Sequence, residues 1–397
     1  VQNLRLKGEY IDSCGLATSF GANQGSGGGK SGNLINCKLL SGSKTRSVGL
    51  VGGSGGINIT NCEVESGVKI GLDENGDVVG KGALGSIVGA GAFVLVGCKS
   101  GADIYSTGCY VGGLAGVKGY AMRACTIKNS QFTGSIHADD EYVGGILGAG
   151  YDDQTAPNTL CAVIENCYVN ADITGAQAVG GIFGGEGGCD QCWDNGIGYI
   201  RNNVFYGALH INGKEIPPQS ASSGPCAPAD NIGGSKGAVS GFMRSLNKNN
   251  VIENNYYFIT NSESVKGLGA VEHIDTSKIR PMGMHEDGTY YYDTSQDSLK
   301  DICDWVDREE GITRKYSSVT SSNKNRIDDP LGADKDNLAK ACTQKEMTDG
   351  SIVKLLNAHT SSMHNWIQGE NCPVISDKAV AYKIEVGGDY LPLIVSL

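Results

Sequence analysis

Apolar and polar positions alternate through residues 164–175, IENCYVNADITG, so that Cys167, Val169, Ala171 and Ile173 share one side. A period of two predicts a strand with one buried face. The same register recurs at Cys62, Val64, Ser66 and Val68, and at Ser130, Phe132, Gly134 and Ile136. Aligned on Ile164-x-Asn166-Cys167, eight copies start at Val1, Leu34, Ile59, Leu95, Ile127, Ile164, Ile200 and Ile252, between 25 and 52 residues apart. A second element lies between them: VGGLAG (111–116), VGGILG (143–148) and VGGIFG (179–184), with weaker relatives at 48–52, 84–89 and 239–244.

Strands of constant pattern joined by connectors of variable length predict an all-β chain, a parallel β-helix or β-solenoid of about eight irregular coils. A coil of roughly 30 residues offers about five inward apolar side chains at about 1.5–3 kcal/mol each. Backbone ordering costs about 1–2 kcal/mol per residue, so a coil is stable only against its neighbours. The residue after each Asn opens the inward series. Leu4, Cys37, Cys62, Cys98, Ser130, Cys167, Asn203 and Asn255 are therefore expected to form a column at one inner corner. Thiols there read as small buried apolar groups; disulfides between adjacent members, and metal or redox chemistry, stay open as alternatives.

The pattern divides the chain at about residue 260. Residues 1–260 carry the repeats; residues 261–397 lose the glycine and gain charge, and are expected to form a smaller mixed α/β domain that caps the stack. DSLKDICDWV (297–306) places Leu299, Ile302, Cys303 and Val306 on one helical stripe. Thr343 and Glu346 form a capping box ahead of Ile352, Val353, Leu355 and Leu356, with Gly350 interrupting that run. Residues 380–397 read as strands around a Gly-Gly turn, with Pro392 favouring an edge.

Composition narrows the setting. Gly supplies 60 of 397 residues without a collagen period. A net charge of −11 with no basic cluster argues against nucleic acid and anionic membranes, and no apolar run reaches the roughly 18 residues that span a bilayer. Fourteen Cys with a single CxxC, Cys189 and Cys192, point to an oxidising compartment. No signal peptide precedes VQNLRLKGEY, which reads like the middle of a domain, so a mature or trimmed piece of a longer protein is expected.

Candidate chemistry is sparse. GSGGGKS (25–31) has Gln24 where a phosphate loop needs Gly, GGSGG (52–56) reads as a turn between strands, and HEDGT (285–289) has Thr289 where a zinc protease has His. In DENGD (73–77), Val78 takes the glycine place of a calcium loop, so Asn75-Gly76 reads as a hairpin turn. Acidic groups gather in equivalent loops: Asp139, Asp140 and Glu141, then Asp152 and Asp153, then Asp190 and Asp194. Such carboxylates suit a ligand surface, glycoside hydrolysis or calcium, the one cofactor they admit; solvated loop charge is the plainer reading. Cys161, Cys189, Cys192 and Cys226 lie where a disulfide would staple long loops. Tyr168 and Tyr206 fall on outward strand positions, open to a ligand or covered by the C-terminal domain.

The Gly-Gly-Leu/Ile-x-Gly box followed by Ile-x-Asn-Cys-Tyr resembles the GLUG repeat of bacterial secreted and surface proteins, over about residues 1–260 and most specifically 110–184. MTDGSIVKLLNAHTSSMHNWIQGENCPVI (347–375) is similar to the segment that often follows such repeats. The resemblance implies a β-solenoid of adhesins and of non-catalytic regions of large secreted enzymes, including immunoglobulin-A-cleaving metalloproteases. It transfers no catalytic residue. The combined expectation is a bacterial secreted or cell-surface structural and adhesive module, without catalysis of its own. Its loops at 149–163 and 185–199 would meet an extracellular glycan or a host or cell-surface protein, with end-to-end self-association as a further contact. A carbohydrate-active β-helix enzyme using the acidic loops, and the non-catalytic region of a secreted protease, are the alternatives.

Overall fold

The Asn of each repeat sets the corner. In the computed structural model, Asn3, Asn36, Asn61, Asn129, Asn166, Asn202 and Asn254 all have φ between 50° and 58°. The copy that lacks Asn has Gly97 there at φ 67°. Asn and Gly are the residues that enter this left-handed region at least cost, so the repeated Asn is a bend encoded in the sequence. Residues 1–20, 32–118, 125–151, 160–187, 197–214, 235–243, 251–274, 281–284, 290–292, 303–305, 339–360, 366–376, 382–386 and 389–393 are described.

After the bend, inward residues meet their counterparts in register. Leu39, Val64, Ser100, Phe132, Val169 and Phe205 follow one another across parallel strands, as do Ile70, Ile104, Ile136, Ile173 and Leu209. These residues belong to the buried interior, as do Leu34, Ile59, Leu95, Ile127 and Ile164 on the facing sheet. The Gly-Gly boxes form a five-stranded parallel sheet of two-residue strands. They tolerate no side chain: a Cβ on Gly113 would fall 2.0 Å from the Gly145 carbonyl oxygen and 2.5 Å from the Phe132 ring.

Two larger sheets, of 13 and 14 strands and parallel except where Leu268–Ile274 meets Cys303–Trp305, carry most of the rest. They correct the expected parallel β-helix or β-solenoid of about eight coils: the sheets curl into half-barrels. The reason is visible in the pairing. The Val88–Val96 strand pairs through Val88–Gly91 with Ala115–Lys118 and through Val94–Val96 with Thr126–Lys128. One strand therefore forks into two rows. In the other sheet the fork is reversed, since Gln131–Phe132 and Ser135–Ala138 both pair with Tyr168–Gly175. A twisting sheet that is one strand wide at one level and two at another curls instead of stacking as uniform flat faces.

Two smaller expectations are also corrected. GGSGG lies inside the Val51–Thr60 strand, not in a turn. Cys303–Trp305 is a strand antiparallel to Leu268–Ile274, which removes the helix expected across 297–306; the flanking residues lie outside the description. DENGD does turn, with Leu72 bridged antiparallel to Val78 and the Asp73 carboxylate accepting from the Asn75 and Asp77 amides.

At the C-terminal end, Ala339–Ala341 joins the larger pairing as the parallel neighbour of Asn255–Ile259. Thr343 and Glu346 cap helix α1 (Gln344–Thr348) reciprocally, and Gly350 at φ 82° separates it from helix α2 (Ser351–His359). These two are the only helices among the described residues. Met347, Ile352, Leu356, Trp366, Cys372 and Ile375 pack on the outer side of the sheet against Tyr168, Val204 and Tyr256. The segments Tyr382–Val386 and Asp389–Leu393 form an antiparallel hairpin that includes Pro392.

Candidate functional site

The sequence candidates fall into three groups. Asp152, Asp153, Asp190, Asp194, Cys189, Cys192 and Cys226 lie outside the described residues, as does the side chain of Cys161, whose backbone belongs to the Leu160–Glu165 strand. Cys37, Cys62, Cys98, Ser130, Cys167 and Asn203 are each 0% exposed. Their contacts run from one strand to the next. The Cys37 amide donates to Cys62 Sγ at 3.4 Å, the Cys98 amide to Ser130 Oγ at 3.0 Å, and the Cys167 amide to Asn203 Oδ1 at 2.8 Å. Burial pushes the Cys98 and Cys167 thiols up to about 12, and Cys62 still higher. These thiols are structural donors without a thiolate to react. Cys14, Cys37, Cys62, Cys98, Cys167, Cys342 and Cys372 are free thiols.

Tyr168 is 4% exposed, and its hydroxyl lies 3.4 Å from Cys372 Sγ under the C-terminal segment. A ring so covered offers no face to a ligand. Tyr206 is half-buried; it stacks on Phe258 at 5.4 Å between centroids and donates to Gln344 Oε1. Of the acidic group at 139–141, Asp139 pairs with Lys214 at 2.6 Å, and Glu141 is buried and accepts from Gln177. Burial pushes the Asp140 carboxyl up, its hydrogen bond from the Glu141 amide opposes this, and the charge of Asp139 adds to it.

Among the described residues, a different face carries organised, partly exposed polar chemistry. On the strands Asp103–Ser106, Ser135–Ala138, Tyr168–Gly175 and Val204–Ile211, Ile104, Ile136, Ile173 and Leu209 point inward. Their neighbours therefore point out. Register places Asp103, Ser135, Asp172 and Ala208 in one outward row and Tyr105, His137, Thr174 and His210 in the next. Ser135 Oγ donates to Asp103 Oδ1 at 2.8 Å and lies 3.2 Å from His137 Nε2. The Tyr105 and His137 rings stack with centroids 5.2 Å apart and planes 18° from parallel. Partial burial, then the charge of Asp103, pushes the Tyr105 hydroxyl up. Glu263, held below its ordinary value first by its bond to Lys236, lies near His210.

Asp, Ser and His in contact invite comparison with a nucleophilic triad. The order of the groups decides against it. In a triad the carboxylate orients the imidazole, which takes the serine proton. Here the carboxylate takes the Ser135 hydrogen itself, so His137 Nε2 must donate to Ser135 Oγ. Ser135 is held, not activated. The arrangement suits binding through hydroxyl, imidazole and carboxylate groups on a rigid sheet. Sequence reading passed over these residues because it followed inward positions and acidic loops; the same alternation read at its outward positions, D-I-Y, S-I-H, D-I-T and A-L-H, marks them.

A second polar cluster is buried. Glu165, 3% exposed, meets Lys128 Nζ at 2.9 Å and Arg201 Nε at 3.4 Å on the two adjacent strands. The Arg201 guanidinium lies 5.5 Å from the Tyr199 ring centre. Burial pushes the Glu165 carboxyl up, but Lys128 and then Arg201 outweigh it and the net shift is down. Beside it, Asn202 donates to Asn166 and, at 3.2 Å, to the Leu356 carbonyl of helix α2. This cluster fastens the C-terminal segment to the sheets. Among the described residues no group of three or more His, Cys, Asp or Glu is placed to hold a metal ion, and no helix is long and apolar enough to cross a membrane.

Comparison of the chain with protein-family models, with curated proteins and with solved structures returns no match.

Proposed function

We propose that this chain is a non-catalytic recognition module, secreted or displayed on a bacterial cell surface, that presents a fixed array of outward side chains to an extracellular glycan or a cell-surface protein. One observation carries the reading: the row Tyr105, His137, Thr174 and His210 is partly exposed, with His137 the most open, and held in register by a fully buried interior, yet the contact of His137 with Ser135 and Asp103 of the adjacent row activates no nucleophile. Rigid ladders that fix side chains on a surface favour selective binding, because little ordering remains to oppose association. The resemblance to GLUG-repeat surface proteins points the same way. Secretion rests on that resemblance and not on the corner cysteines, since Cys37, Cys62, Cys98 and Cys167 are free thiols.

Beads coated with the chain should be retained on a cultured epithelial cell layer several-fold above albumin-coated beads. The chain should also release no nitrophenol from a panel of nitrophenyl glycosides. Glycoside turnover that disappears in both Asp103→Asn and His137→Ala would replace this reading with a hydrolase.

A further inference from the structure

The outward row is uneven. Tyr105 and His137 stand as a stacked pair, His210 stands two strands beyond His137, and between them the register position is Thr174. A small side chain between two large ones makes a notch. Two strand spacings of about 4.8 Å put the flanking backbones roughly 9–10 Å apart. His137 turns one ring face to Tyr105, so the opposite face looks into the notch.

The width selects among ligands. Carbon atoms in contact lie about 3.5–4 Å apart, so a flat ring touching both walls needs roughly 7–8 Å. The remaining distance of roughly 2 Å suits a puckered saturated ring whose C–H groups reach both walls. The adjacent row offers hydrogen-bond acceptors and hydroxyls, Asp172 and Asp103 with Ser135 between them, and Thr174 lies at the floor; the cation beside His210, Lys236, is taken up by the Leu209 carbonyl and Glu263. Carboxylates receive hydroxyl hydrogens well. With a chain net charge of −11 they also repel anions, while Glu263 near His210 is compensated by Lys236.

We infer that the notch over Thr174, walled by His137 and His210 and edged by Asp172, is a binding site for one residue of an uncharged sugar chain. This assignment rests on the recognition-module reading and names the ligand class for the same face. Its specificity follows from the walls and the charge: neutral pyranose residues enter, uronic and sulfated sugars do not.

Calorimetry with cellohexaose, chitohexaose and maltohexaose as neutral probes, and a hexamer of galacturonic acid as the anionic probe, tests it. At least one neutral probe should bind with Kd below about 1 mM, equivalent to roughly −4 kcal/mol, and the anionic probe should not. Thr174→Trp, which fills the notch from an outward position, should abolish binding while thermal unfolding followed by circular dichroism stays unchanged. Should that variant misfold, His210→Ala removes a wall without adding bulk and should weaken binding about tenfold. Absence of neutral-sugar binding, preference for the anionic probe, or binding that survives in a folded Thr174→Trp or His210→Ala protein each overturns the assignment. Bead retention on cells, measured in parallel, separates the two readings: retention without sugar binding removes only the notch, and loss of both removes the recognition module as well.

Discussion

The conformation of single residues explains why the repeat reads as it does. Seven Asn residues and Gly97 occupy equivalent bends with φ between 50° and 67°, a region that costs most side chains about 1–2 kcal/mol. Gly97 is the internal comparison. Gly97→Asn should leave the urea midpoint nearly unchanged, whereas Gly97→Ala should lower stability by about 1 kcal/mol; equal effects would mean that the bend does not select the residue. The cysteine that follows has a different role. With Cys98 and Cys167 fully buried and pushed up to about 12, iodoacetamide at pH 8 should leave both unmodified until the protein is unfolded. Mass mapping that finds either one alkylated in the native state would contradict a sealed corner. The Asn was legible in sequence as a bend because few residues accept that backbone. The role of the Cys was left open between packing and bridging because a small buried thiol and a disulfide half look alike in a sequence.

At the level of elements, local signals were read more easily than pairing. The capping box at Thr343 and Glu346 and the break at Gly350 depend on a few adjacent residues, and both stand in the structure where the spacing puts them. The outward row of Tyr105 and His137 depends on register between strands some 30 residues apart, and the strand at 303–305 on a partner at 268–274; neither is written locally. The ion cluster that joins elements has a pH consequence. Glu165 is held below its ordinary 4.5 in the fold, so its pairing contributes fully above that pH and is lost as pH falls through the lower folded value. Glu165→Gln should therefore cost stability at pH 7, by about 1–3 kcal/mol given that both cations are more than a third exposed. The difference from the parent should shrink as urea unfolding is repeated toward about pH 3. A difference independent of pH would assign the cost to packing instead of charge.

Across the whole molecule, the decisive feature is where connectors vanish. Sequence reading treated the Gly-rich box and the Ile-x-Asn strand as separate elements with elastic links. At Val51–Thr60 and Val88–Val96 no link remains and the two run on as one strand; at later levels they are separate strands, Ala115–Lys118 and Cys125–Lys128, then Leu147–Tyr151 and Leu160–Glu165. That merging and splitting makes sheets that fork and curl, and it gives the fork strands a mechanical role that evenly spaced rungs would lack. Phe93, 2% exposed, sits at the register shift within the Val88–Val96 strand, where one branch leaves toward Ala115–Lys118 and the other toward Cys125–Lys128. Removing its ring opens a cavity worth about 3–5 kcal/mol at a point shared by both rows. In hydrogen exchange, Phe93→Ala should raise amide exchange in both branches together. Phe132→Ala, whose Gln131–Phe132 strand belongs to one row of the other sheet, should raise it mainly in its own row. Because both rows share the fork strand as the neighbour on one edge, each having a separate strand on the other, acceleration confined to a single branch in Phe93→Ala would show that the rows are held independently, and the account of the curl would have to be rebuilt from the connectors.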